Sequence, residues 1–169
     1  MCRSESVRSS SKLALAAFVL ALAPVLDAAP VPPTPRPRHV HGNIVSQLLT
    51  GPACTSPVGL CTKGHFTGSL RGEFVFTATT LTPTADTPAT GIVHYTGDIV
   101  LKTNDGTIFI KDAGAFDSAP GSTGDVGAVS AVTGGTRRYA GASGHVRIGG
   151  TFTPQDGGDS EYCGQILLR

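Results

Sequence analysis

Two aspartates on either side of a turn are the first candidates for chemistry in this chain. Asp98 and Asp112 flank the turn at residues 104–106. If the flanking segments pair, the two carboxylates approach each other, and their repulsion raises the pKa of one of them, which suits acid–base work. In the favoured alternative both are solvated, because Asp98 follows Gly97 at a bulge and Asp112 lies beside Lys111 at a strand end.

His94 and Tyr95 form a second candidate pair. As neighbours in a strand they point to opposite faces, so only one of them can line a given pocket. Tyr95 shares its face with Val93 and Ile99, which predicts an apolar environment and a hydroxyl that reaches a cavity, where Tyr95 would bind a ligand. His94 shares the polar face with Asp98. The pattern leaves open which face turns inward.

Two other charged residues are candidates for a site. Glu73 is the only Glu near the beginning of the strand-rich region, and it follows a turn. Arg147 alternates with His145 on a polar face, and a guanidinium at the mouth of a barrel could hold a carboxylate ligand. Exposure to solvent explains Arg147 equally well. His39 and His41 have no third ligand nearby, so we expect neither a metal nor a cofactor.

Nucleophile and phosphate-binding signatures are absent from the chain. It has no Gly-x-Ser-x-Gly elbow, no His-Glu-x-x-His pair and no Gly-rich loop with a Lys. Thirteen Lys and Arg against twelve Asp and Glu exclude a polyelectrolyte partner such as nucleic acid. Any catalysis must therefore come from a few ionisable groups in a shaped cavity.

The elements that position these residues are strands. All 22 glycines lie from Gly42 onward, where segments rich in Val, Ile, Phe and Thr alternate with Gly, Asp, Asn and Pro. Asn104-Asp105-Gly106 predicts a tight hairpin. We expect strands near 62–70, 73–81, 91–103, 107–116, 125–133, 144–153 and 160–168, and an eighth over 43–49. Such antiparallel strands stack as a sandwich or close into a barrel, and glycines inside the strands favour the barrel.

The chain begins with a segment typical of secreted proteins. Residues 1–29 have a basic start, an apolar stretch and small residues near Ala28, which predicts a cleaved signal peptide. The apolar stretch is too short for stable membrane insertion. We expect a Pro-rich spacer over 30–42, an N-terminal arm over 43–60 and a barrel domain over 61–169.

The cysteines fit an oxidising compartment. Cys2 leaves with the signal peptide, so Cys54, Cys61 and Cys163 remain, and one of these is expected to stay unpaired or to bridge two chains. Pro57 and Gly59 make the segment between Cys54 and Cys61 turn-prone, which favours a disulfide between these two. Cys61 with Cys163 is the alternative, if the first and last strands are neighbours.

A motif between residues 132 and 144 points to a family. VTGGTRRYAGASG resembles the Gly-Gly-Thr-x-x-Tyr-x-Gly-Ala-x-Gly signature of the allene oxide cyclase and dirigent barrel superfamily, particularly its secreted bacterial members. Similarity extends to GIVHYTGDIVLKTNDG, KDAGAFD and CTKGHFTGSLRGEFVFTATTL, and so covers about residues 61 to 168. The resemblance implies an eight-stranded antiparallel barrel with an axial cavity, and it allows a homo-oligomer.

Three functions are consistent with this sequence. The first is a secreted barrel that binds or sterically steers a small hydrophobic molecule. The second is an isomerase of the allene oxide cyclase type, which requires an ionisable residue such as Glu73, His94 or Asp112 deep in a pocket. The third is a structural or surface-interaction protein with a packed barrel, which a cavity too small for a ligand would favour.

Overall fold

Eight antiparallel strands form a closed barrel in the computed structural model, which describes residues 36–84, 91–119, 122–153 and 155–169. Each strand pairs with the next in sequence, and the last pairs with the first. The strands are β1 (Pro37–Leu48), β2 (Cys61–Phe66), β3 (Gly72–Pro83), β4 (Ile92–Thr103), β5 (Gly106–Asp117), β6 (Asp125–Gly135), β7 (Ser143–Thr153) and β8 (Gly157–Leu167). The barrel prediction is confirmed over the sandwich.

The first strand begins earlier than the sequence predicted. Residues 37–42 were expected to belong to the spacer, with an eighth strand over 43–49, but β1 pairs with β8 from Pro37 to Ser46. Pro37 lacks an N–H group, which a strand tolerates at its first residue. Val40 and Ile44 turn inward and are buried, so this segment closes the barrel. The predicted signal peptide lies outside the described residues.

The hairpin between β4 and β5 has the predicted turn. Asn104 and Asp105 connect the strands, and Gly106 has φ of 141°, a conformation that residues with a side chain rarely adopt. The hydroxyl of Thr103 donates to the carbonyl of Gly106 at 2.8 Å and accepts the N–H of Asp105 at 3.1 Å. These bonds fix the register of the hairpin, in which Gly97 of β4 lies opposite Asp112 of β5.

One end of the barrel is filled by apolar side chains, and we call it the packed end. It lies where the β4–β5 hairpin turns and where the short 3-10 segment Arg137–Tyr139 follows β6. Tyr139, the tyrosine of the VTGGTRRYAGASG motif, is buried there. The inward side chains at this end form one cluster that includes Leu101, Ile108, Ile110, Val132, Val146 and Ile166. Apolar burial at this end is the main source of stability.

Tyr162 of β8 ties the β2–β3 turn to the packed end. Its ring is almost completely buried, and its hydroxyl accepts the N–H of Leu70 at 2.8 Å. The same hydroxyl donates to the carbonyl of Thr67 at 2.8 Å. Two backbone groups of a turn are thus paired by one side chain from the opposite end of the sequence.

A disulfide shapes the loop between β1 and β2. Cys54 and Cys61 are bonded, with a Cα–Cα distance of 5.5 Å, so the favoured pairing is confirmed and the alternative of Cys61 with Cys163 is wrong. Inside the loop the hydroxyl of Ser56 donates to the carbonyl of Ala78 in β3 at 2.6 Å. The expectation of an unpaired cysteine is not met, because the described residues contain no free cysteine.

Candidate functional site

The other end of the barrel holds a cavity, and we call it the open end. It lies where β1, β3, β5 and β7 end and where the disulfide loop leaves the barrel. The cavity has a volume of about 90 Å³. Six aromatic side chains line it, namely Phe66, Phe74, Phe76, Tyr95, Phe116 and Phe152, together with Ser46, Thr62, Asp112 and Ser160 among others.

Four of these aromatic rings form a continuous wall. The ring centroids of Phe76 and Tyr95 are 5.6 Å apart with the planes at 79°, and Tyr95 lies 6.1 Å from Phe116. Phe116 and Phe152 are again nearly perpendicular, at 6.1 Å. Edge-to-face packing of this kind fixes the rings relative to one another. The cavity therefore has a preformed aromatic wall.

Asp112 is the one charged residue that lines the cavity. Its side chain is 6% exposed, and its Oδ1 accepts the hydroxyl of Ser130 at 2.6 Å. The hydroxyl of Tyr95 and the backbone N–H of Ala113 also donate to this carboxylate. The three residues Asp112, Tyr95 and Ser130 come from β5, β4 and β6, so three neighbouring strands build one hydrogen-bonded group, which we call the Asp112 triad.

Two glycines make room for the rings of Tyr95 and Phe76 beside Asp112. Tyr95 faces Gly114 across the β4–β5 pair, and a Cβ atom at Gly114 would lie 2.8 Å from the Tyr95 hydroxyl oxygen. Gly97 faces Asp112, and a Cβ there would lie 2.4 Å from the ring of Phe76. Glycine at both places lets the two rings pass over the strands. The interior glycines predicted as bends thus have a packing role here.

Burial governs the protonation of the triad. Removal from water raises the pKa of Asp112 above its ordinary value, and the hydrogen bonds from Ser130, Tyr95 and Ala113 oppose that rise without cancelling it. Burial, followed by the charge of Asp112 and the hydrogen bond to it, raises the pKa of Tyr95. Tyr95 therefore stays a neutral donor, while Asp112 can exchange a proton.

The strand register separates the two aspartates, so they do not form the carboxylate pair considered for acid–base work. Asp98 faces Lys111 on the outer surface of the barrel and forms an ion pair with it. Asp112 faces Gly97 and points inward. The favoured alternative, in which both were solvated at a bulge and a strand end, is also wrong for Asp112, which lies within β5 and is buried.

The remaining candidates point away from the cavity. Glu73, His94 and Arg147 are exposed on the outer face of β3, β4 and β7. Arg147 is therefore not placed to hold a ligand inside the barrel. Tyr95 does line the cavity, which settles that the apolar face of β4 turns inward. Its role toward a ligand stays a prediction.

Several cavity residues were not singled out from the sequence. Phe116, Phe152 and Ser130 complete the wall and the triad. Ile108 and Ile110 turn inward, and continuing the same period of two reaches Asp112 and Phe116. The period of two in β5 therefore indicates that Asp112 turns inward. Ser130 has no such signal, because a serine in a strand is equally common on an outer face.

Comparison with models of protein families, with curated proteins and with solved structures finds no match for this chain. Within the described ranges no three His, Cys, Asp or Glu residues are grouped so that they could hold a metal ion. No helix in the same part of the chain is long and apolar enough to cross a membrane.

Proposed function

We propose that the open end of the barrel binds one end of a small, largely apolar molecule whose polar group reaches the Asp112 triad. The buried carboxylate is the observation that carries this proposal. Burying a carboxyl group costs free energy that an apolar side chain would not cost, so a barrel selected only for stability would fill this position with Leu or Val. Asp112 instead lines a cavity.

The dimensions of the cavity restrict what enters it. Pockets for complete drug-sized molecules have volumes of roughly 300–1,000 Å³. The volume here is about 90 Å³, which is the space of a few atoms. The ligand therefore inserts a terminal group, and the rest of the molecule lies at the mouth beside Phe116 and Phe152.

The proposed function also includes a place of action outside the cytoplasm. The disulfide between Cys54 and Cys61 supports an oxidising environment, since cytosolic proteins seldom keep such bonds. Together with the signal-like start of the chain, this supports secretion. The ligand would then be met outside the cytoplasm.

A second candidate function is an isomerase of the allene oxide cyclase or dirigent type, in line with the sequence resemblance. One observation favours it. Asp112 is an ionisable residue that lines the cavity, with a pKa raised by burial, and such a carboxyl group can give and take a proton during a rearrangement. In this function the aromatic wall steers the conformation of the reacting molecule.

A cavity-filling substitution tests the proposed binding. Ser160 of β8 lines the cavity, whereas the next residue, Glu161, is exposed on the outer face. We expect 1-hexanol to bind the unmodified protein with Kd of about 1 mM, in a titration followed by NMR shifts of backbone amides. Ser160→Leu should abolish these shifts, and the matched control Glu161→Leu should retain them.

The outcome separates the proposal from a barrel that is simply packed. If hexanol leaves the amides of Tyr95, Phe116 and Phe152 unshifted in the unmodified protein, and the charged hexyl probes described below do so too, the open end binds no apolar chain and a structural role replaces binding. If Ser160→Leu binds hexanol as well as the control does, the binding place is not this cavity.

A further inference from the structure

We infer that the ligand of the open end is a cation, an amine or ammonium group on an apolar tail, which places its charge between the aromatic wall and Asp112. This inference rests on the proposed function and specifies the chemical class of the ligand. It depends on three properties of the open end: the charge of the cavity lining, the nature of its walls and the charges around its mouth.

The lining of the cavity contains one carboxyl group and no basic side chain. Asp112 carries that carboxyl group, and no Lys, Arg or His is among the residues that line the cavity in the described structure. Tyr95 and Ser130, the side chains that face Asp112 from β4 and β6, are neutral donors already directed at the carboxylate. An ammonium group near Asp112 favours the charged form of its carboxyl group and becomes its counter-ion, whereas a ligand carboxylate is repelled by that form.

The walls suit a cation for a separate reason. The faces of aromatic rings carry negative charge density, and a cation within about 6 Å of a ring centroid is attracted to it. Tyr95, Phe116 and Phe152 form a contiguous wall beside Asp112. Aromatic rings combined with a carboxylate can replace the hydration shell that an ammonium group loses on entering. The volume of about 90 Å³ fits such a head group better than a complete ring system.

The mouth of the barrel is acidic, which suits a cationic ligand. The strand ends and connections there carry Asp117, Asp125, Asp156 and Asp159. No Lys or Arg lies among the described residues of this end. These residues are 49–60, 79–84, 91–96, 113–119, 122–128, 149–153 and 155–160. Like charges around an opening raise the local concentration of ions of the opposite sign.

Several arginines lie at the packed end. Exposed arginines there include Arg38, Arg71, Arg137, Arg138 and Arg169. The formal net charge of the whole chain is +1. This sum does not show that acidic groups surround the open end and arginines the packed end. An anion is therefore attracted to the packed end, which is filled, and a cation to the open end, which has a cavity.

Three probes with one tail test the inference. 1-Aminohexane, which is a cation at pH 7.5, 1-hexanol and hexanoate differ only in the charge and type of the head group. In NMR titrations at low salt we expect 1-aminohexane to bind at least tenfold more tightly than hexanol, and hexanoate at least tenfold more weakly. Asp112→Asn should remove the advantage of the amine, while Asp98→Asn, on the outer face, should leave it unchanged.

A second variant tests the contribution of the aromatic wall. Phe116→Leu keeps an apolar wall but removes a ring, so it should weaken 1-aminohexane by a larger factor than hexanol. Unchanged amide shifts of buried packed-end residues such as Val146 and Ile166 show that the barrel of Asp112→Asn and of Phe116→Leu is intact.

The results distinguish two failures. If hexanol binds as tightly as the amine, or hexanoate more tightly, the ligand is not a cation, and the inference is overturned while binding at the open end stands. If none of the three probes binds, the proposed function itself fails.

Discussion

Two isoleucines provide a matched test of the division between the packed end and the open end. Ile108 is completely buried in the packed end, whereas Ile148 is partly buried and lines the cavity. Replacing either by Ala removes three carbon atoms. Full burial of three methylene-sized groups is worth about 2.4 kcal/mol. At Ile108 a closed void is added, which brings the loss to about 4 kcal/mol.

The loss at Ile148 should be much smaller. About half of the transfer free energy is lost, and the new space joins an existing cavity, so we expect a loss of about 1 kcal/mol. For a domain of this size 1 kcal/mol lowers Tm by about 4 °C. Ile108→Ala should therefore lower Tm by about 15 °C and Ile148→Ala by about 4 °C, as measured by urea and thermal unfolding followed by circular dichroism. Equal losses would refute the division, because both ends would then be core.

Three other variants have defined outcomes. Tyr162→Phe leaves the N–H of Leu70 without its partner and should lower the free energy of unfolding by about 1–3 kcal/mol in urea titrations; an unchanged midpoint would contradict this. Cys54→Ser with Cys61→Ser should cost about 2 kcal/mol, and thiol counting on the unmodified protein should find neither thiol before reduction. Because burial raises the pKa of Asp112 in the folded state, the protonated form is favoured there, and the free energy of unfolding should fall as pH rises from the ordinary carboxyl value through the raised one. Asp112→Asn should remove this slope, and a slope that persists would assign it to another group.

Much of the fold was predictable because it depends on local patterns. The Asn104-Asp105-Gly106 turn and the alternation in β4 and β5 define one hairpin, and the same alternation in the other segments gives strands with one apolar face. The beginning of β1 was not predictable in this way. Five prolines between residues 30 and 41 favour an extended spacer, and only pairing with β8 shows that residues 37–42 belong to the barrel.

The candidate site was predictable in part. Tyr95 was correctly placed on the apolar face of β4, but Asp112 was judged by its neighbour Lys111 rather than by its parity with Ile108 and Ile110. A charged residue in an inward position contradicts the usual expectation, because burial of a carboxyl group is costly. The contact with Ser130 depends on how β5 pairs with β6, which a single sequence does not specify.

Intermolecular nuclear Overhauser effects test the central claim most directly. The claim is that an apolar chain enters the open end and lies against the aromatic wall. With 1-aminohexane bound, we predict contacts from its methylene protons to the rings of Phe116 and Phe152. Contacts to the exposed side chains of Val75 or Val129 on the outer face, with none to the two rings, would contradict the claim.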